Sequence, residues 1–584
     1  MKWNLTDIFK NRDEFNKTKE EFLEFLDKIE SYKGKIADSS ENLYKCYFNI
    51  ENALMKFEKL YSYGMFTYHL NMAEQEGLKL FKEVENLSTL YGKKIAFLVP
   101  EITSSDENVI KKYLSEDKNL EPYKRDILDI LDEKKHTLSK ESEELLANYN
   151  NILSCSENTF DILTNAEFKF GNIIDENGNN VELTDSNYSI YLKNRNQEVR
   201  KQAFKAMYKK YSEYINTITE LYTTNVKEYA ITSKIRKYSS SMERAVKHDD
   251  SSLKVYDALI NAVNNNIEKN YEFLDLKKKL LKTDKMNMYD LYVNPFEEDK
   301  DEITFEEAKE QVINALSVLG DEYVKLLKTA FENNWIDSEP AENKRGGAYS
   351  SGVYGVHPFV LMSFEKSKRD VSTIAHELGH SMHSYYSNKY QNIINSNYTI
   401  MVAEVASTVN ELLLAHYQIE NEKDKSKKAE ILYELLEMIR ATFFRQSMFA
   451  EFEKVIHEKI EKEEFLASED LNNIYYDLNK KYFGEDVEIN EEIKYEWARI
   501  PHFYSDFYVY KYATGISSAI CIVKNILEKG EEYIEKYKNM LKQGCSKKSI
   551  ELLKMVDVDL ESEQTYKNAI EFYEEKTKEL KALL

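Results

Sequence analysis

Only 6 prolines and 16 glycines occur in 584 residues, while Glu, Lys and Leu are plentiful. Breakers this scarce, set among strong helix formers, restrict the chain to a mainly α fold. Apolar residues fall at three- and four-residue intervals in segments such as Glu41 to Lys59 and Ile431 to Lys454, the amphipathic pattern of helices burying one face. A chain this long exceeds one compact core, so two or more lobes are expected. Two stretches interrupt the helical texture. Phe168 to Leu192 carries β-prone runs around the turn-forming ENGNN and predicts a hairpin. It places a seam between an N-terminal lobe, 1–195, and the remainder, 196–584. Lys344 to Phe364 (KRGGAYSSGVYGVHPFVLMSF) combines glycines with a short β-prone run, and Pro358 predicts an edge strand from His357 to Ser363. Free N–H and C=O groups on such an edge would pair with an extended peptide.

Charge and cysteine usage narrow the function classes. The formal net charge of -23 argues against nucleic acid as a partner, since phosphates require a basic footprint. Cys46, Cys155, Cys521 and Cys545 have no CxxC spacing, so neither a disulfide framework nor a cysteine-rich metal site is expected. The opening MKWNLTDIFKNRDEF has no apolar h-region, and no uncharged apolar run reaches the ~18 to 20 residues of a membrane helix. The expectation is a cytoplasmic protein with no membrane partner. Oligomeric state is left open.

The segment DVSTIAHELGHSMHSYY, Asp370 to Tyr386, carries chemistry. With Asp370 as N-cap, a helix brings His376 and His380 one turn apart on one face, where two imidazoles meet one ion. Glu377, displaced by one residue, would reach a water in the ion's open position as general base. A third ligand is expected from the next helix, NYTIMVAEVASTVNELLLAHYQIE: Glu404 lies 24 positions after His380, far enough for the chain to turn and return. Two histidines and a glutamate hold one Zn2+ with a position open to water. Glu411 would accept the second ring N–H of a ligand histidine, and His383 would pack behind the ligands. The other histidines, His69 among them, count as structural for want of partner spacing.

HELGH followed by EVAST at this distance resembles the thimet-oligopeptidase class of zinc peptidases. Three further segments narrow the resemblance to oligoendopeptidase F: WNLTDIF, KRGGAYSSGVYGVHPFVLMSF, and RIPHFYSDFYVYKYATG from Arg499 to Gly515. It implies a helical protein of two lobes enclosing a deep channel, cleaving internal bonds of short unfolded oligopeptides. A histidine and tyrosines of the last segment face the zinc in that family. His502, Tyr508 and Tyr510 are therefore the expected catalytic partners of Glu377, with Tyr512 a weaker candidate. His357, Gly352, Tyr354 and Tyr504 are the expected substrate contacts. The rival readings are a carboxypeptidase or dipeptidyl-carboxypeptidase of related fold, and a peptide-binding scaffold without catalysis.

Overall fold

The structure is a computed structural model that describes residues 1–296 and 302–584. It is 72% helix and 3% strand, the all-helical texture expected of so few breakers. No described helix is long and apolar enough to cross a membrane. The four cysteines are free thiols. Contacts divide the chain into two compact units that interleave along the sequence. One unit comprises Met1–Thr137, Asp301–Asn421 and Ala519–Asp559; the other Leu138–Lys300, Glu422–Ser518 and Leu560–Leu584.

The first unit opens with three helices, Arg12–Glu30, Ser40–Leu70 and Gln75–Ile95, packed in series. Phe15, Phe22, Leu26 and Ile29 form one buried stripe, matched by Leu43, Ile50, Leu60 and Phe66 on the second helix. Asn11 and Ser39 cap the first two helices with side-chain oxygens, satisfying backbone N–H groups that otherwise lack partners. The same core takes in Val353, Phe359 and Leu361 from a three-stranded sheet. Trp3 locks the chain's opening onto that sheet: its indole N–H donates to the Trp335 carbonyl at 2.9 Å, and its ring meets Phe66 and Phe359.

In this sheet Phe359–Leu361 is the central strand, parallel to Ile336–Asp337 and antiparallel to Tyr349–Ser351. The expected edge strand at His357 to Ser363 is thus corrected: all three residues of Phe359–Leu361 are buried, and the strand pairs on both sides. Pro358 precedes the ladder, so its missing N–H costs nothing there. The edge is Tyr349–Ser351 instead, with Ser350 opposite Val360.

Within the second unit the expected hairpin is present, Asn172–Ile174 antiparallel to Asn180–Glu182. The unit's helices enclose charged clusters. Glu437 pairs with Arg440 and Lys277 at 2.8 Å each, and Glu496 accepts from Arg445 at 2.8 Å. The ion pair of Arg200 with Asp290 is likewise buried.

Candidate metal centre

Two helices of the first unit carry the site: Lys368–Tyr390, which contains HExxH, and the return helix Ile400–Asn421. The first starts three residues earlier than the sequence indicated. Ser367 is the N-cap, and Asp370 answers it from the third position in a reciprocal capping box. Asp370 is a better acceptor for the exposed N–H groups of Glu365 and Ser367 than an N-cap in its own right.

Gly379 sets how close the helices come. A Cβ there would stand 2.5 Å from the Ser407 Cα and 2.6 Å from the Ala406 carbonyl, so only glycine admits this backbone-to-backbone contact. Asn410 stitches the pair, donating to the Ala375 carbonyl at 3.0 Å and accepting from Tyr323 at 3.1 Å.

The close approach brings His376, His380 and Glu404 together, one donor atom from each lying within 4.8 Å of the others. The His376 and His380 Nε2 atoms are 3.1 Å apart, and Glu404 Oε2 lies 3.5 and 3.7 Å from them. Glu411 contacts His376 Nδ1, and the Ala403 carbonyl accepts from the His380 ring. With the other ring nitrogen of each histidine bonded outward, the two Nε2 atoms face one another and share the proton that Glu411 favours on His376; once that proton leaves, they present two lone pairs to one cation. Lone pairs so opposed repel unless a cation lies between them. Bond lengths of ~2.0–2.2 Å at tetrahedral angles give ligand–ligand edges of roughly 3.3–3.5 Å, and the observed separations straddle these. The donor set fits one small divalent ion.

Electrostatics distinguish the members. Burial works against the imidazolium of His376, but the Glu411 carboxylate outweighs it and raises the ring above its ordinary value. Burial and the neighbouring His376 charge depress His380 to about 3, against the Ala403 hydrogen bond. Glu377 is only 6% exposed, and its carboxyl is pushed up to about 7 by burial, with Glu404 and Glu411 adding to the shift. The Ser350 backbone N–H, on the edge strand, donates to the Glu377 carboxylate. Glu377 and the sheet edge are therefore in direct contact.

Among the other sequence candidates, His383 is 1% exposed and lies flat on Tyr398, ring centroids 3.7 Å apart; it is not among the three donors. Gly352 abuts Ser384 of the HExxH helix, where a Cβ would stand 2.8 Å from its neighbour's Cβ. Tyr354 gives its hydroxyl to the Gln391 carbonyl and its backbone N–H to Glu58, at 2.9 Å each. His357 is a packed loop residue: its ring stacks on Trp335, and its nitrogens meet the Pro358 carbonyl and Asp7. Neither hydroxyl nor imidazole is left over for substrate at these two positions.

His502, Tyr504, Tyr508, Tyr510 and Tyr512 belong to the second unit. His502, Tyr508 and Tyr512 cluster there, the Tyr512 hydroxyl 3.4 Å from His502 Nε2 and the Tyr508 ring 6.0 Å from the imidazole. Tyr510 is fully buried and donates to Asp249 at 2.9 Å, and Tyr504 is buried against Phe160. These two phenols serve the core, which corrects their reading as catalytic and substrate-binding groups. The turn between them is held by Glu453, which accepts from the Phe507 N–H at 2.5 Å while Phe507 adopts φ 55. Gly379, Ser350 and Ala403 were not among the sequence candidates. A glycine in the middle of a helix costs about 1 kcal/mol, and that penalty was the available signal for Gly379. Backbone donors and acceptors leave no signature in side-chain identity.

Comparison with known proteins identifies the family. The profile of Peptidase family M3 matches residues 190–572, and that of Oligopeptidase F matches 101–170. Oligopeptidase PepF of Bacillus subtilis is 39% identical over 100% of this chain and 87% of its own. The oligoendopeptidase F homolog of Borreliella burgdorferi is 36% identical, covering 100% and 98%. Of solved structures, oligoendopeptidase-F from Enterococcus faecium superposes with a TM-score of 0.75 at 31% identity, over 98% of this chain and 99% of that one. A Chlamydophila abortus protein superposes at 0.92 with 33% identity, over 100% and 98%. The chain belongs to peptidase family M3 and is a metalloendopeptidase of the oligoendopeptidase F group.

Proposed function

We propose that the protein is a zinc-dependent oligoendopeptidase that hydrolyses internal bonds of short, extended peptides. The observation carrying this reading is the opposed pair of Nε2 lone pairs beside Glu404, with Glu377 next to them at a near-neutral pKa. A bound zinc ion supplies Lewis-acid polarisation and makes a water acidic enough to react near pH 7. The chain supplies the rest. His376 and His380 are held in one tautomer by Glu411 and the Ala403 carbonyl, so no reorganisation precedes binding. Glu377 Oε takes the proton of the attacking water and returns it to the leaving amine; a carboxyl near 7 exchanges protons readily in both directions.

The edge strand Tyr349–Ser351 is the seat for the substrate backbone, because it pairs with a neighbouring strand on one side only; an incoming extended chain competes there with Glu377 for the Ser350 N–H. Folded proteins seldom present such a strand, which is consistent with peptide substrates. The decisive experiment is cleavage of an internally quenched, end-blocked peptide of about eight residues, with zinc content measured on the same samples. Internal cleavage by the wild type, abolished in E377Q at equal zinc, is expected. Equal turnover in E377Q would sink the reading.

A further inference from the structure

A hydrogen-bonded chain at the start of the edge strand has no part in the chemistry above. Arg345 Nη1 meets His69 Nε2 at 2.9 Å, and His69 Nδ1 meets the Tyr349 hydroxyl at 2.8 Å. A guanidinium only donates, so Nε2 must be the acceptor and the ring hydrogen must sit on Nδ1. Nδ1 then donates to the Tyr349 oxygen, which leaves the phenolic hydrogen free to point elsewhere. Burial and the Arg345 charge hold His69 near 4, so the imidazole is neutral and the tautomer is fixed.

Arg345 is therefore a cation without an anion. Its other contact is the Tyr349 ring, 5.5 Å from the guanidinium carbon, and no carboxylate pairs with it among the described residues. Its neighbour Lys344 is committed to Asp337 at 2.6 Å and to three backbone carbonyls, and the Arg345 N–H donates to the His69 carbonyl. The backbone beneath Arg345 is thus fixed while its remaining N–H groups face solvent. An exposed arginine held in place by a buried histidine, beside a tyrosine with a spare O–H, is a two-donor receptor for a carboxylate.

Its placement gives the receptor a direction. Tyr349 heads the edge strand, and the next residue, Ser350, contacts Glu377. A peptide running antiparallel to the strand places its C-terminal side at Tyr349 and Arg345. A parallel peptide would bring its N-terminal ammonium toward an unpaired guanidinium, which repels it. Resting on the peptidase reading above, we infer that Arg345 and Tyr349, positioned by His69, form a carboxylate subsite for the C-terminal side of an antiparallel substrate. The carboxylate is either the peptide's own terminus, a few residues beyond the cleaved bond, or a Glu or Asp side chain there.

The test compares kcat/KM on quenched peptides identical except at the carboxylate. One series ends in a free acid or an amide at increasing distance from the scissile bond; a second is end-blocked and carries Glu or Gln at those positions. For the wild type, the charged member of at least one series is preferred by about 10- to 100-fold, the weight of a charge-assisted hydrogen-bond pair. In R345Q the preference falls to about 1, and R345K restores part of it; Y349F gives an intermediate ratio. Preference in the first series identifies a terminal carboxylate, and in the second a side chain. Wild-type ratios near 1 in both series, or a ratio unchanged in R345Q, overturn the subsite while leaving peptide cleavage intact. Absence of cleavage of every peptide overturns the peptidase reading itself.

Discussion

Replacing Glu377 by glutamine has two separable consequences. As general base its loss should lower kcat by about 10²- to 10⁴-fold with zinc retained. In metal-free protein the same change should stabilise the fold at neutral pH. The folded carboxyl is raised to about 7 from 4.5, so both states are protonated below 4.5 and Glu377 then costs nothing. Between 4.5 and 7 the unfolded chain gives up its proton and the folded one does not, so stability falls as pH rises. Above 7 the full cost remains, on the order of 3 kcal/mol. Calorimetry in chelator should find E377Q melting higher than wild type at pH 8 and equal to it near pH 4.5; a lower melting point at pH 8 would contradict this. E411Q keeps a partner for His376 but loses its charge, and zinc affinity by chelator competition should fall about 10- to 100-fold. His376, His380 and Glu404 were legible in the sequence because ligand spacing on a helix is a local rule. His69 was not, because its partners Arg345 and Tyr349 are far away along the chain.

Two helices meeting at Gly379 make the centre a property of their separation. In G379A the new methyl would press on the Ser407 backbone, which cannot rotate away as a side chain could. Overpacking of this kind typically costs about 1–3 kcal/mol, and here it also moves Glu404 away from the histidines. G379A should therefore lose both melting temperature and zinc affinity, the latter read by titration; a variant that melts lower but binds zinc normally would show the spacing to be tolerant. Helices were legible from their periodicity, down to the return helix that carries Glu404. The order of the short sheet was not. Three consecutive buried residues, Phe359 to Leu361, show no alternation, and one proline beside them was equally compatible with an edge or a strand start.

At the level of the molecule, the buried charges of the second unit set its tolerance of acid. Burial opposes ionisation of Glu437, yet Arg440 and Lys277 hold it down to about 2. Its contribution to stability is complete above the unfolded value of about 4.5 and disappears as pH falls toward 2. Lys277, lowered by burial to about 8, stays charged throughout that window and adds no slope. E437Q should therefore flatten the acid limb of a stability-against-pH curve, while wild type loses stability steeply from pH 4.5 downward. Helix content was legible from composition, whereas the interleaving of segments within each compact unit depends on contacts between remote parts of the chain. That interleaving has a consequence for synthesis. A nascent chain emerging from the ribosome carries all three metal ligands well before Ala519–Asp559 arrives to finish their unit, and the other unit awaits Leu560–Leu584. Neither unit can complete its core as an early, independent folding event, so exposed apolar helix faces must persist through most of translation and would be natural clients for holding chaperones.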